Sequence, residues 1–480
     1  MIILHPRKLF DCPVEIIESI ISDIVTPKDL LNLALTCKAL CARIIPYHIQ
    51  FRILKVNLHE YPLELGDALL QHKTLLSRYR KITLRFSKSH TIIPCCLLPN
   101  TIAEAPASDN QDFLFQHVMP RMILDLRSLI SHARNLTTLS TFITGSGFLS
   151  FLRLLASSTP LLVSLELCRT SPPGMISLNE DYYELLTCTP LLQLRRVKLS
   201  EVCIVKNSKK ELIDGICCLT PNLSSFEIDF DRPTAELKDL LQRATWPHLT
   251  SVLIYMFMTS DPEDSEVFIS FLNRHPTITS LAVSTYETWS PFQGDPLTRE
   301  ILPNLRKLST THLIQDVVSV SMVDQLTHVC AAFDYISMTH LEEMKNLKQC
   351  IANVDVMMLC DILKVVPLSV EKLIIEKLNN DHGDSPDDEW INGLRLLHKH
   401  KQLTHIGGLN AISTDDALST SPSVIQELRR MPQVIKVSPL LDTLLIDTTF
   451  VEVFFKDGEI TEQMCKWFTI DELTPELTPE

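Results

Sequence analysis

Four stretches carry side chains whose types and spacing could do chemistry. Ser146 lies between Gly145 and Gly147, but the turn that exposes a nucleophilic serine needs one more residue on each side, and no dinucleotide fingerprint follows. Asp381 to Glu389, DHGDSPDDE, gathers carboxylates that could hold a cation. They lack the ligand order of an EF-hand loop, so a solvated acidic loop is expected. His398 and His400 flank Lys399 where a helix would end, and cations there suit the helix dipole better than they suit a metal. The 14 cysteines include the adjacent pairs Cys95–Cys96 and Cys217–Cys218, with no C-x-x-C spacing for zinc. Reduced thiols of an intracellular chain are expected. The phosphate-cradling G-x-x-x-x-G-K-[ST] and the zinc-binding H-E-x-x-H do not occur. No catalytic residue, metal ligand or cofactor is therefore expected, and function should lie in binding.

Bulk composition narrows what is bound. Lys and Arg number 44 and Asp and Glu 58, a net charge of −14 and the wrong sign for gripping phosphates, so no nucleic-acid partner is expected. The longest tight apolar run, Val252 to Met258, falls short of the ~18 residues of a membrane helix. The first ten residues, MIILHPRKLF, lack the basic start and long apolar stretch of a secretory signal. A soluble cytoplasmic or nuclear protein with no membrane partner is expected. Glycine is scarce, 11 of 480 residues, against 28 prolines and 75 leucines. Few tight hairpins and many punctuated helical or repeating units follow from that balance.

Two kinds of element must do the positioning. Between Leu9 and Ile49, Pro13 can open a helix whose Ile16, Ile17, Ile20, Ile21 and Ile24 form a wide apolar stripe. Thr26 and Pro27 interrupt it, and Asp29 opens a second helix carrying Leu30, Leu31, Leu33, Ala34 and Leu35. Thr36 is expected to cap a third helix with Cys37, Leu40 and Ile44. Three such helices expose more apolar surface than they can bury among themselves, which calls for a partner surface. Pro13-x-Glu15-Ile16, Ile20 or Ile21, Asp29-Leu30-x-x-Leu33 and Ala34-x-x-Cys37-Lys38 together resemble an F-box. The departures are Cys12 for the leading Leu and Leu40 for the frequent aromatic. The resemblance, over 9–50, implies docking on the Skp1 adaptor of a cullin–RING ubiquitin ligase. The residues it implies for that contact are Pro13, Ile16, Ile17, Ile20, Leu30, Leu33, Ala34, Cys37 and Leu40. On the residues alone, the alternative is a helical cap closing whatever follows.

Beyond this module, apolar anchors recur at Leu136, Leu162, Leu194, Leu223, Leu249, Ile278, Leu305, Leu326, Leu347, Val370, Leu403 and Val434. Their mean spacing of about 27 residues lies within the ~20–29 of leucine-rich repeats. The third residue after each anchor is apolar in all twelve units, from Leu139 to Val437. Proline stands two residues before six anchors, at Pro160, Pro221, Pro247, Pro276, Pro303 and Pro432, where it would stop a helix and begin an extended strand. Each unit reads helix, proline, strand, loop. Joined to the N-terminal helices, the pattern resembles the leucine-rich-repeat class of F-box proteins. The implied fold is α/β, a three-helix F-box followed by a solenoid in which a curved parallel sheet is backed by helices. The Asn of that class, eight residues after the anchor, is absent, and Asp231, Asp334, Asp355 and Asp442 take its place in four units. The expected domains are the F-box over 9–50, a linker and cap over 51–130, the array over 131–460 and a disordered polar tail over 469–480. Long loops are expected over 87–112 and 286–298. The alternative is a non-repeating α/β or helical scaffold.

On such an array, residues beside the strand leucines point to solvent and meet partners. Glu166, Arg196, Lys198, Glu227, Asp229, Tyr255, Lys307, His328 and Lys372 are the candidates, and their mixed charges suit a protein target. The resemblance thus implies the substrate receptor of an SCF-type ubiquitin ligase. It would hold Skp1 and through it a cullin, and perform no bond chemistry itself. The alternatives are a scaffold that delivers nothing for degradation and an enzyme on an irregular α/β fold.

Overall fold

Every one of the twelve anchors stands two residues before a β-strand. The computed structural model describes residues 12–24, 26–57, 65–85, 93, 119–143, 148–169, 191–200, 216–217, 220–229, 235–256, 262–285, 292, 296–354, 358–377, 387–407, 422–434 and 436–438. They form an N-terminal unit, Met1–Leu223, and a C-terminal unit, Ser224–Glu480. The N-terminal unit opens with helices α1 (Val14–Asp23), α2 (Pro27–Ala34) and α3 (Lys38–Ile44) and a π-helical turn, Ile45–Ile49. Strands β1 (Ile53–Asn57), β2 (Lys81–Arg85), β3 (Thr138–Ile143), β4 (Ser164–Arg169) and β5 (Arg196–Ser200) then pair in chain order, all parallel.

In the C-terminal unit the described strands are β6 (Ser225–Asp229), β7 (Ser251–Met256), β8 (Ser280–Thr285), β9 (Lys307–Leu313) and β10 (His328–Phe333). They continue as β11 (Gln349–Val354), β12 (Lys372–Lys377), β13 (His405–Gly407) and β14 (Lys436–Ser438), again parallel and in chain order. Residues two past the anchor pair with one another throughout, as Ser164 with Arg196, Ser251 with Ser280 and Lys307 with His328. All twelve anchors are buried. So is each described side chain three positions on, from Leu139 to Ile406.

The turn before the strand explains both the anchor and the proline. The anchor N–H donates to the carbonyl three residues earlier, Leu162 to Thr159 at 3.1 Å, Leu249 to Trp246 at 3.0 Å and Ile278 to His275 at 3.1 Å. That is the closing bond of a β-turn, and it puts Pro160, Pro247 and Pro276 at its second position, where their fixed φ is preferred. Proline therefore shapes the turn and not the strand start expected of it. In the next register the carbonyl one past the anchor accepts two N–H groups from the following repeat. Thr250 accepts from Thr279 at 2.8 Å and from Ser280 at 3.1 Å. Thr137, Thr279 and Thr404 add their hydroxyls to the same carbonyls, at 2.9, 3.2 and 3.1 Å. A side-chain ladder runs beside this one. Asn222, Asn304 and Asn346, each just before its anchor, donate to Leu192, Pro276 and Asp324 carbonyls of the preceding repeat, at 3.0, 3.0 and 2.7 Å. Asparagine thus serves the array from the strand's start, where the sequence pattern sought it after the strand's end. At that later place Asp334 accepts from the Ser337 N–H at 2.8 Å and from Gln315 Nε2 at 3.1 Å.

Two strands of the array lie within 51–130, the stretch expected to be linker and cap. Phe51 and Tyr79 take the anchor position before β1 and β2, fully buried, with ring centroids 5.6 Å apart. Lys81 pairs with Ile53 on one side and Thr138 on the other, continuing the register into β3.

Helices pack neighbour on neighbour within each unit, Leu65–Gln71 against Met119–His132 and that against Phe148–Ser158 in the first. In the second, Ala235–Arg243 packs on Pro262–Asn273, and Asp387–Leu397 on both Leu359–Val365 and Pro422–Arg429. Their buried faces follow the helical period: Met122, Leu126, Leu129 and Ile130 in one, Phe268, Phe271 and Leu272 in another. His275 sits among the aromatics, its Nδ1 donating to the Phe271 carbonyl at 2.7 Å and its Nε2 accepting the Trp246 N–H at 3.0 Å. Asp387, Asp388 and Glu389, part of the acidic stretch, open a helix. Residues 381–386, the loop over 87–92 and 94–112, Gly145–Gly147 and the tail over 469–480 lie outside the described residues. Among the described residues no helix is long and apolar enough to cross a membrane.

Two of the few glycines are explained by these helix contacts. A Cβ on Gly66 would meet the Asp125 carboxyl group at 2.0 Å, whereas one on Gly393 would meet a single Leu363 methyl at 2.6 Å. Gly66→Ala should cost about 1–3 kcal/mol through overpacking, and Gly393→Ala should cost less because that methyl can rotate away. Urea unfolding of each variant checks the order, and equal midpoints would contradict it.

Candidate docking sites

The three-helix module is built from its own caps and its own small core. Pro13 caps α1, its carbonyl accepting from the Ile16 and Ile17 N–H groups at 3.1 and 3.3 Å. Thr26 caps α2 with its hydroxyl, which accepts the Asp29 N–H at 3.2 Å. Cys37, and not Thr36 as expected, caps α3, its Sγ accepting the Leu40 N–H at 3.5 Å. The Thr36 hydroxyl turns back to the Leu33 carbonyl at 2.7 Å. Ile17, Ile21, Leu30, Ala34, Leu40 and Ile44 close the core, with Leu33 and Cys37 packed against it.

The wide isoleucine stripe of α1 therefore serves two sides. Ile17 and Ile21 turn inward while Ile16 and Ile20 stay 50% and 41% exposed. On α2, Leu30 and Ala34 turn inward while Leu31, and Leu35 just past the helix end, are 42% and 69% exposed. Val14 at the start of α1 is 44% exposed, and Pro13 is exposed as well. Of the nine side chains implied as adaptor contacts, Ile17, Leu30, Ala34 and Leu40 are buried in the module and, as placed, present no surface to a partner. Leu33 and Cys37 are half-buried. Val14, Leu31 and Leu35 are outward residues the resemblance did not supply. Leu31 and Leu35 are four residues apart, the helical period, whereas Val14 is outward because it stands at the open end of α1.

Beneath this module lies a charge cluster that sequence reasoning missed. Glu18 accepts from Arg43 Nε at 2.7 Å, His48 Nε2 at 2.9 Å and Arg78 Nη2 at 3.3 Å. Burial pushes the His48 imidazole down to about 4, with the Arg78 and Arg52 charges adding to the push and Glu18 opposing it. Burial alone would raise the Glu18 carboxyl, but His48, Arg43 and Arg78 outweigh it and hold it below its ordinary value. Burial also drives Arg52 down to about 10.

On the array, the candidate target contacts form two separate groups. In the N-terminal unit Glu166 and Lys198 stand opposite one another in the β4–β5 register, both half-buried, with Arg196 exposed nearby. Across the C-terminal unit lie Glu227 on β6, Lys307 and His328 paired on β9 and β10, and Lys372 on β12, all half-buried. Asp229 and Tyr255 are placed opposite one another by register, on β6 and β7. The expectation that this strand side faces solvent fails at the next positions in. Leu253, Ala282, Ser309, Cys330, Ile351 and Ile374 are buried there, so much of the C-terminal sheet is apolar on both sides. His398 and His400 also part company. His398 Nε2 meets the buried Glu427 carboxylate at 3.1 Å beside Arg395 and Arg430, and His400 is buried in the turn before its anchor.

No family model matches the chain, and no curated protein matches it in sequence. Among solved structures, the one described as "Crystal structure of Rad7 and Elc1 complex in yeast" is similar at a TM-score of 0.39 and 16% identity, over 62% of this chain and 76% of that chain.

The Glu18 cluster gives the module an acid sensitivity of definite sign. Unfolded, His48 takes up a proton near its ordinary value of about 6.5, whereas folded it resists until about 4. Its neutral state therefore stabilises fully above that window, and stability is lost as pH falls through it. Glu18 protonation removes more below that. Thermal unfolding followed at the module should show a midpoint that drops between about pH 6.5 and 4.5, and His48→Gln, which keeps a donor to Glu18, should flatten the drop. An unchanged wild-type midpoint over that range would contradict the assignment.

Proposed function

We propose that the chain is a substrate receptor of an SCF-type ubiquitin ligase, with the α1–α3 module docking a Skp1-type adaptor and the strand array holding a target protein. The observation that carries this reading is the outward set Val14, Ile16, Ile20, Leu31 and Leu35. Five large aliphatic side chains stay exposed on a module whose own core is already closed. Such surface is normally covered by a partner. Covering a half-exposed aliphatic side chain is worth about 1 kcal/mol, so the five together can drive docking once association costs are met. The F-box resemblance names the partner, and the array supplies a second surface well separated in sequence.

The chemistry proposed for the chain is proximity alone. A receptor that holds a target near a ubiquitin-charged enzyme raises its effective concentration there and speeds transfer without a catalytic group of its own. Adaptor docking and target capture would use different residues, which makes them separable by mutation.

Ile16→Asp with Ile20→Asp should weaken adaptor binding at least about 100-fold, because two charges would be desolvated at the contact. The core residues Ile17 and Ile21 are untouched, so the module should keep its fold. Calorimetry of the full chain with purified Skp1-type adaptor measures this, with circular dichroism as the folding control. Wild-type chain that does not bind the adaptor, or a variant that binds as well as wild type, would remove the proposal.

A further inference from the structure

The path from helices to sheet leaves no slack. Helix α3 ends at Ile44, the π-helical turn runs to Ile49, and β1 begins at Ile53. The intervening backbone is itself bonded, Gln50 N–H to the Ile45 carbonyl at 3.3 Å and Arg52 N–H to the Ile49 carbonyl at 3.1 Å. Side chains from the array side then reach back. Arg78, in the turn before β2, donates through Nη1 to the Tyr47 carbonyl at 2.9 Å and through Nη2 to Glu18 at 3.3 Å. Arg52 donates to the Ile21 carbonyl at 2.9 Å, and its own carbonyl accepts the Arg80 and Lys81 N–H groups that begin β2.

We propose that Glu18 is a latch that fixes the three-helix module to the first two strands, so that the outward side of α1 and α2 and those strands move as one body. The argument is one of charge and placement. Glu18 bonds to cations or potential cations from three elements: Arg43 on α3, His48 on the π-helical turn and Arg78 ahead of β2. Arg52 and Arg80 face the same region, and Asp23 at the end of α1 is the acid facing Arg80. Removing Glu18 would take from Arg43, His48 and Arg78 the one carboxylate they share. The hold across the seam between module and strands, where Arg78 and Arg52 also make their bonds, would then weaken. His48 and Arg52 are buried at that seam, while Glu18 and Arg78 are about a quarter to a third exposed, at 30% and 26%. A latch of this kind opens locally, well below the cost of unfolding the strands, and salt reaches it. Rigid presentation does not depend on what α1 and α2 bind, so it stands or falls apart from the adaptor reading.

Hydrogen exchange on the full chain tests it with Glu18→Gln, Arg78→Gln and the double variant. In either single variant, amides of 14–24 and 38–52 should exchange roughly tenfold faster, while β3, β4 and β5 keep wild-type protection. The double variant should exchange no more than about twice as fast as the singles, because both remove one shared interaction. Raising salt should loosen the wild type and leave Glu18→Gln unmoved. Unchanged protection, fully additive losses, or a loss spread evenly from 14 to 200 would each overturn the latch, the last by showing that Glu18 stabilises the unit as a whole.

Discussion

In most of the described repeats the carbonyl just past the anchor accepts two N–H groups from the repeat that follows, as Thr327 accepts from Lys348 and Gln349. That shared acceptor leaves the strands no freedom to slip. A slip of one residue would turn every strand leucine to the opposite side. The preceding β-turn depends on it, because the anchor must be buried for its N–H to close on the carbonyl three residues back. The helices pack neighbour on neighbour in the same chain order, each burying its own apolar face. Threonine hydroxyls and the asparagines before the anchors reinforce the same seam at modest individual value, about 1 kcal/mol for a typical hydrogen bond.

Much of this seam was legible in the leucines. The twelve apolar anchors all lie two residues ahead of strands. What escaped notice had a physical cause in each case. Phe51 and Tyr79 do an anchor's work with an aromatic ring, so aliphatic spacing does not reveal β1 and β2. Leucine-rich repeats carry asparagine past the strand, while Asn222, Asn304 and Asn346, one residue before the anchor, donate to backbone carbonyls of the preceding repeat. Proline's position is plain in the sequence, but a fixed φ suits a turn as well as a strand start, and only the anchor's hydrogen bond separates the two.

The sites were less legible than the fold. A stripe of five isoleucines tells of burial without saying on which side, and α1 divides it between a core and an outward face. Alternation along a strand predicts which residues share a side, as Glu166 and Lys198 do, but not whether that side meets water. Ile351 and Ile374 show the difference, being buried where solvent was expected. Long-range charge contacts such as Glu18 with Arg78, sixty residues apart, leave no local trace at all. Yet that contact ties the helical module to the strands, and so joins the two parts of the functional account.

The central claim is that the outward side of α1 and α2 is a docking surface. Hydrogen-exchange footprinting of the full chain, with and without saturating purified Skp1-type adaptor, tests it most directly. The account predicts added protection across 14–36, around Val14, Ile16, Ile20, Leu31 and Leu35, with β3 to β5 and the C-terminal unit unchanged. No added protection, or protection appearing on the strands and not on the module, would contradict it.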